Sequence, residues 1–220
     1  MNITYEDVRQ NPEVRTYITQ ADRSLLARGF TEHSFAHVTR CAETAAAILA
    51  QLGYGSQDTE LARIAGFMHD IGNVINRIDH AQSGAVMAFR ILDKMGMAPN
   101  EVAQVISAIG NHDEHTAYPV NALAAALILA DKSDVRRSRV RNRDVASFDI
   151  HDRVNYSVEQ SSLKTDVTNR TFTLVLTIDT SVSQVADYFE IFLERMMLCR
   201  RAAQFFGYRF ALKINGTQLM

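Results

Sequence analysis

The chain has 220 residues, 47% of them apolar and 22% charged, enough to bury one substantial core. A net charge of −2 excludes the strongly basic field of a protein whose partner is nucleic acid. No cationic start leads into an apolar run and the longest apolar stretch, Ala122 to Ala130, is too short to span a bilayer, so neither a secretory leader nor a membrane partner is expected.

The first half reads as helices. Tyr5 to Arg28 forms one mixed amphipathic segment that ends at Gly29. From Ser34 to Leu52, Val38, Cys41, Ala45, Ile48 and Leu49 recur at helical spacing, and Gly53 closes the run. Ser56 to Asp70 repeats the pattern with Leu61, Ile64, Ala65 and Met68, and Gly72 supplies the stop. His80 to Met95 carries Gly84, Met87, Ile91 and Met95 on one stripe. Pro99 and Pro119 are each read as opening a further helix, since proline suits a first helical turn. The two cysteines, Cys41 and Cys199, fall within helical patterns and read as buried thiols of a cytoplasmic protein.

The texture changes after Asp134. Arg136 to Arg143 holds five arginines in eight residues, too dense for a core. Val154, Tyr156 and Val158 then alternate, as do Phe172, Leu174, Leu176 and Ile178, which predicts two strands turned at Asn169-Arg170. A helix from Val182 to Phe206 and a closing strand from Tyr208 to Ile214 follow. The expected architecture is therefore mainly α, with an all-helical domain over residues 1–145 and a small α+β (β-β-α-β) appendage over 146–220. Those strands could pair across a two-fold axis, so a homodimer is expected.

Five helical segments carry an ionisable residue on the apolar stripe: His37, His69 with Asp70 beside it, His80, His112 and Asp131. Each lies three, four or seven residues from core positions, hence on the packed side. An unpaired imidazole or carboxylate in a hydrophobic interior costs several kcal/mol (roughly), so such groups persist when paired or bound to metal. A single buried histidine is more often a hydrogen-bonded core residue. Such groups recurring on separate helices point instead to one shared metal site. Near helix ends they can meet in a cleft open to substrate. His33 and His115 lie on the flanks, with a surface role favoured for both, and His151 reads as a loop residue.

The ordered series, with its strings "HSFAHVTRCAETAA", "IAGFMHDIGN", "HAQSGAVMAFRIL", "AIGNHDEH" and "LILADKSDVRRSR", resembles the HD superfamily of metal-dependent phosphohydrolases over roughly residues 30–140. The resemblance implies an HD-type helical bundle and, from the six ligands, the branch with a two-metal centre. It implies that His37, His69, Asp70 and Asp131 hold one metal, and Asp70, His80 and His112 the second. After "HDIG", many relatives have a lysine where this chain has Asn73; Arg77 or the arginine run can replace that charge. The chain has no "GYP" tripeptide after the ligands, which separates it from the cyclic-di-GMP branch.

Imidazoles and carboxylates suit a pair of divalent ions, Fe or Mn first, with Zn, Ni, Co or Mg as alternatives. Such a pair supports hydrolysis of a phosphate ester or anhydride of a nucleotide or other small phosphorylated metabolite. Asp70, Lys132 and Arg77 are the candidate catalytic residues; Arg136, Arg137, His115 and Asn73 are candidates for substrate binding. The alternatives are a di-iron oxygenase on the same ligands, and a nucleotide-binding sensor without turnover.

Overall fold

The computed structural model describes residues 3–220, with the side chain at position 145 left aside. The N-terminal segment is two helices, α1 (Tyr5–Gln10) and α2 (Pro12–Ala27), where the sequence reading expects one. Asn11 is extended and its side chain accepts from the Glu13 and Val14 amides. The following proline has no amide to donate and disfavours a helical residue before it, so the chain breaks there.

Ser34 caps α3 (Phe35–Gln51), and α4 (Ser56–Met68) hands over at His69 to a tight 3-10 turn, Ile71–Val74. Next come α5 (His80–Met95), α6 (Pro99–Gly110) and α7 (Ala122–Lys132). Pro99 opens α6 as expected. Pro119 does not open α7, because the Asn121 side chain accepts from the Ala124 amide and starts the helix there. Leu123 through Ala130 are all buried, so α7 is apolar on every face and lies at the centre of the bundle. It packs against α3, α4 and α6, while α5 pairs with α6.

Residues 150–157 form a helix, α8 (Ile150–Ser157), and not the start of a strand. Asp149 caps it by accepting from the Asp152 amide, and Val154 and Ser157 face inward at helical spacing. His151 therefore sits on a helix rather than in a loop. The first strand, β1 (Val158–Asp166), runs antiparallel to β2 (Thr171–Ile178), and α9 (Val185–Phe205) crosses over to β3 (Arg209–Ile214), parallel to β2. A two-residue strand, β4 (Thr217–Gln218), completes the order β1-β2-β3-β4. Alternate side chains Phe172, Leu174, Leu176 and Ile178 are buried, as a sheet covered on one face requires. The fold is mainly α with a small C-terminal sheet. Helix α9 lies on α7, and one apolar core continues from the bundle into the sheet. Among the described residues, no helix is long and apolar enough to cross a membrane.

Candidate metal centre

Six side chains from five elements converge at one end of α7. His37 comes from the first turn of α3, His69 and Asp70 from the exit of α4, His80 from the first residue of α5, His112 from just beyond α6, and Asp131 from the last turn of α7. All four histidines are fully buried or nearly so. Helix ends place them because a terminal residue can leave the core stripe and still be held by the packing of its helix.

Each imidazole is held by Nδ1. That nitrogen lies 2.8 Å from the Gly66 carbonyl for His69, 3.0 Å from Arg77 O for His80, 2.6 Å from Ile109 O for His112 and 2.8 Å from Asp134 Oδ2 for His37. A carbonyl only accepts, so Nδ1 carries the proton and Nε2 is left as the donor atom toward the centre. Burial holds His80 below the ordinary histidine pKa and His112 well below it. Both are therefore neutral at pH 7. Yet their Nε2 atoms stand 3.2 Å apart, two lone pairs facing each other. Only a cation or a proton donor between them makes that approach favourable.

Asp70 lies between two sets of imidazoles. Its Oδ2 is 3.5 Å from His37 Nε2 and 3.2 Å from His69 Nε2, while Oδ1 is 3.5 Å from His80 Nε2. Asp131 Oδ1 lies 3.3 Å from His37 Nε2 and 3.8 Å from His69 Nε2. Burial works against ionisation of both acids, but His69, His33 and His37 around Asp70, and Lys132 and His37 around Asp131, hold both well below the usual carboxylate range. Among the described residues, His69 Nε2 and Asp70 Oδ2 are buried without a hydrogen-bond partner. Buried polar atoms without partners and facing one point fit a metal site, and these residue types suit divalent first-row ions. The residues fit the metal.

Cys41 also lies close, with Sγ 3.7 Å from both nitrogens of His37. Equal distances place the sulfur over the ring face, whereas the nitrogen lone pair lies in the ring plane. Cys41 therefore backs His37 and does not share its ligand direction, although its donor atom falls within 4.8 Å of those of His37, His69 and Asp131.

Asp134 is the brace of His37. Fully buried, it accepts from that imidazole and is ringed by Arg40 Nε at 3.1 Å, Arg136 Nε at 2.6 Å and Arg139 Nη1 at 3.7 Å. Asp134→Ala would leave these cations without their shared anion. It is expected to lower stability by about 3 kcal/mol and metal affinity by about 10- to 100-fold. Thermal melts and metal titration check both, and an unchanged affinity would remove Asp134 from the site.

A cavity of about 580 Å³ opens over the centre, within the range of small-molecule sites. Of the residues expected to act on substrate, Asp70, Arg77, Lys132 and His115 line it. Arg77 Nη1 is 3.3 Å from His80 Nε2, and Lys132 Nζ is 2.7 Å from Asp131 Oδ2 and 3.6 Å from Glu114 Oε1. Three others do not line it. Asn73 turns its amide onto Asp70, donating to Oδ1 at 2.8 Å, so it orients a carboxylate. Arg136 is tied to Asp134, and Arg137 donates to Tyr156 O at 2.6 Å beneath β1. Strong local acceptors captured both guanidiniums.

Sequence reasoning missed Arg28, Asp152, Phe192 and Arg195 and favoured a surface role for His33; these five, and Arg139, are on the cavity wall. His33 packs edge-on against His37 with Nδ1 on Thr31 O at 2.7 Å; its place four residues before His37 was a usable signal. Arg139 lay within the arginine run. Phe192 and Arg195 come from α9, and no local pattern announces them.

Fold and site together define a helical bundle built around a buried histidine–aspartate metal centre. The HD domain family matches residues 34–190, and the chain belongs to that family, whose domains bind divalent metals. A solved structure described as a predicted HD superfamily hydrolase from an uncultured Thermotogales bacterium is 28% identical, covering 56% of this chain and 67% of that one, with a TM-score of 0.45. No curated protein matches.

Proposed function

We propose that the protein is a metal-dependent phosphohydrolase with a dinuclear centre, acting on a nucleotide or other small phosphorylated metabolite. The observation that carries this reading is the placement of Asp70, one carboxylate oxygen facing His37 and His69 and the other facing His80. His37, His69, Asp70 and Asp131 would hold one ion, and Asp70, His80 and His112 the other. A bound pair, of iron or manganese by donor type, supplies an activated water and charge neutralisation for an in-line displacement at phosphorus.

The chain's own groups would do the rest. Arg77, on the cavity wall beside His80, would bring a guanidinium charge to the non-bridging phosphate oxygens. Lys132 holds Asp131 as a ligand and adds a positive charge beside the site. Asn73 keeps Asp70 turned so that both its oxygens are usable. The apolar core beneath excludes bulk water, which strengthens each of these interactions.

Elemental analysis of protein purified without chelator, followed by phosphate release from a panel of nucleotides and phosphomonoesters, tests the reading. Manganese or iron is expected to support release, and chelation to abolish it and lower the melting temperature, because a bound ion stabilises the native state by mass action. Metal-saturated protein releasing no phosphate from any member of the panel would overturn it. If that protein carries iron that cycles to a mixed-valent state, oxygenase chemistry takes its place.

A further inference from the structure

We infer that Arg195, on helix α9 outside the metal centre, is an anion receptor that binds the two-oxygen edge of a phosphate or carboxylate group of the substrate. Its guanidinium lies 4.2 Å over the Phe192 ring, and its Nε donates to Glu114 Oε1 at 2.8 Å. Those two contacts fix the plane of the group. Among the described residues, neither terminal nitrogen has a hydrogen-bond partner, and the side chain is on the cavity wall. A guanidinium held on one edge and one face, with its fork open to a pocket, has lost its rotamer freedom before any ligand arrives.

The surroundings place the receptor. Glu114 Oε1 also lies 3.6 Å from Lys132 Nζ, which in turn meets Asp131 Oδ2 at 2.7 Å. Arg195 is thus joined to the metal ligands through a chain of alternating charge. Glu114 is shared by two cations, so it cannot fully neutralise either. The C-terminal unit, on this view, is part of the substrate site. That the bound anion belongs to a hydrolysable substrate rests on the function proposed above; the receptor itself does not.

The test uses full-length protein stripped of metal, titrated calorimetrically with orthophosphate and, in parallel, with acetate. Wild type is expected to bind one of the two. Arg195→Gln keeps a planar group over Phe192 but lacks the cation and the fork, and should bind that anion at least about tenfold more weakly. Arg195→Lys, with charge and no fork, should fall between, and melting curves of both variants should stay near wild type. No binding by wild type at millimolar anion, or equal affinity in wild type and Arg195→Gln, overturns the receptor. Phosphate release by the manganese-loaded wild type is scored separately: its failure beside intact anion binding would sink the hydrolase reading and leave the receptor standing.

Discussion

Replacing Asp70 with alanine is expected to empty both positions of the proposed two-metal centre, whereas His80→Ala should empty only one. Asp70 is the residue whose two oxygens face different imidazoles, so its loss removes a ligand from each set. His80 meets Asp70 Oδ1 and the His112 nitrogen and has no contact with Asp131. Protein desalted without chelator should carry about two ions per chain in wild type, about one in His80→Ala and close to none in Asp70→Ala. Phosphate release should fall by about a thousandfold in Asp70→Ala, equivalent to about 4 kcal/mol of barrier. Helical content should survive, since Asp70 sits where α4 has already ended and the apolar core below it is untouched. A variant lacking Asp70 that retains the wild-type metal content would refute the bridging assignment.

Much of this site was legible because helical spacing is a strict rule. A polar residue four positions from core residues points at the core, and His69 and His112 are buried there while Asp131 is 12% exposed at the cavity edge. What periodicity cannot give is the direction of a long flexible side chain. Arg136, Arg137 and Arg139 look alike in sequence, yet of the three only Arg139 lines the cavity, although Asp134 anchors it as it does Arg136, while Arg137 turns to the Tyr156 carbonyl. Asn73 was misjudged for a related reason: its amide is short and buried, and the nearest acceptor is Asp70. The stretch 150–157 misled because Val154, Tyr156 and Val158 alternate over too few residues to outweigh a helix. Asp149 with its bond to the Asp152 amide was the better signal. Arg195 was out of reach altogether, since its place depends on α9 docking against α7, some sixty residues earlier in the chain.

The other large effect is expected at Gly72, where alanine should destabilise the whole protein. A β-carbon built there would stand 2.0 Å from the His80 carbonyl oxygen and 2.5 Å from the Gly84 amide nitrogen. Both obstacles are backbone atoms of α5, so no side chain can swing away and the helix itself has to move. Overpacking of this kind costs about 3 kcal/mol or more when main chain is displaced, which in a domain of this size lowers Tm by roughly 6–12 °C. The same displacement carries His80 away from Asp70, so the ion proposed to lie between them should bind more weakly even where the fold survives at low temperature. Gly53→Ala serves as the control. Its φ is +82° with nothing within 4 Å, leaving only the backbone strain of about 1–2 kcal/mol. If Gly72→Ala melts no lower than Gly53→Ala, close contact between the "HDIG" turn and α5 is not what requires glycine there, and His80 is positioned by other means.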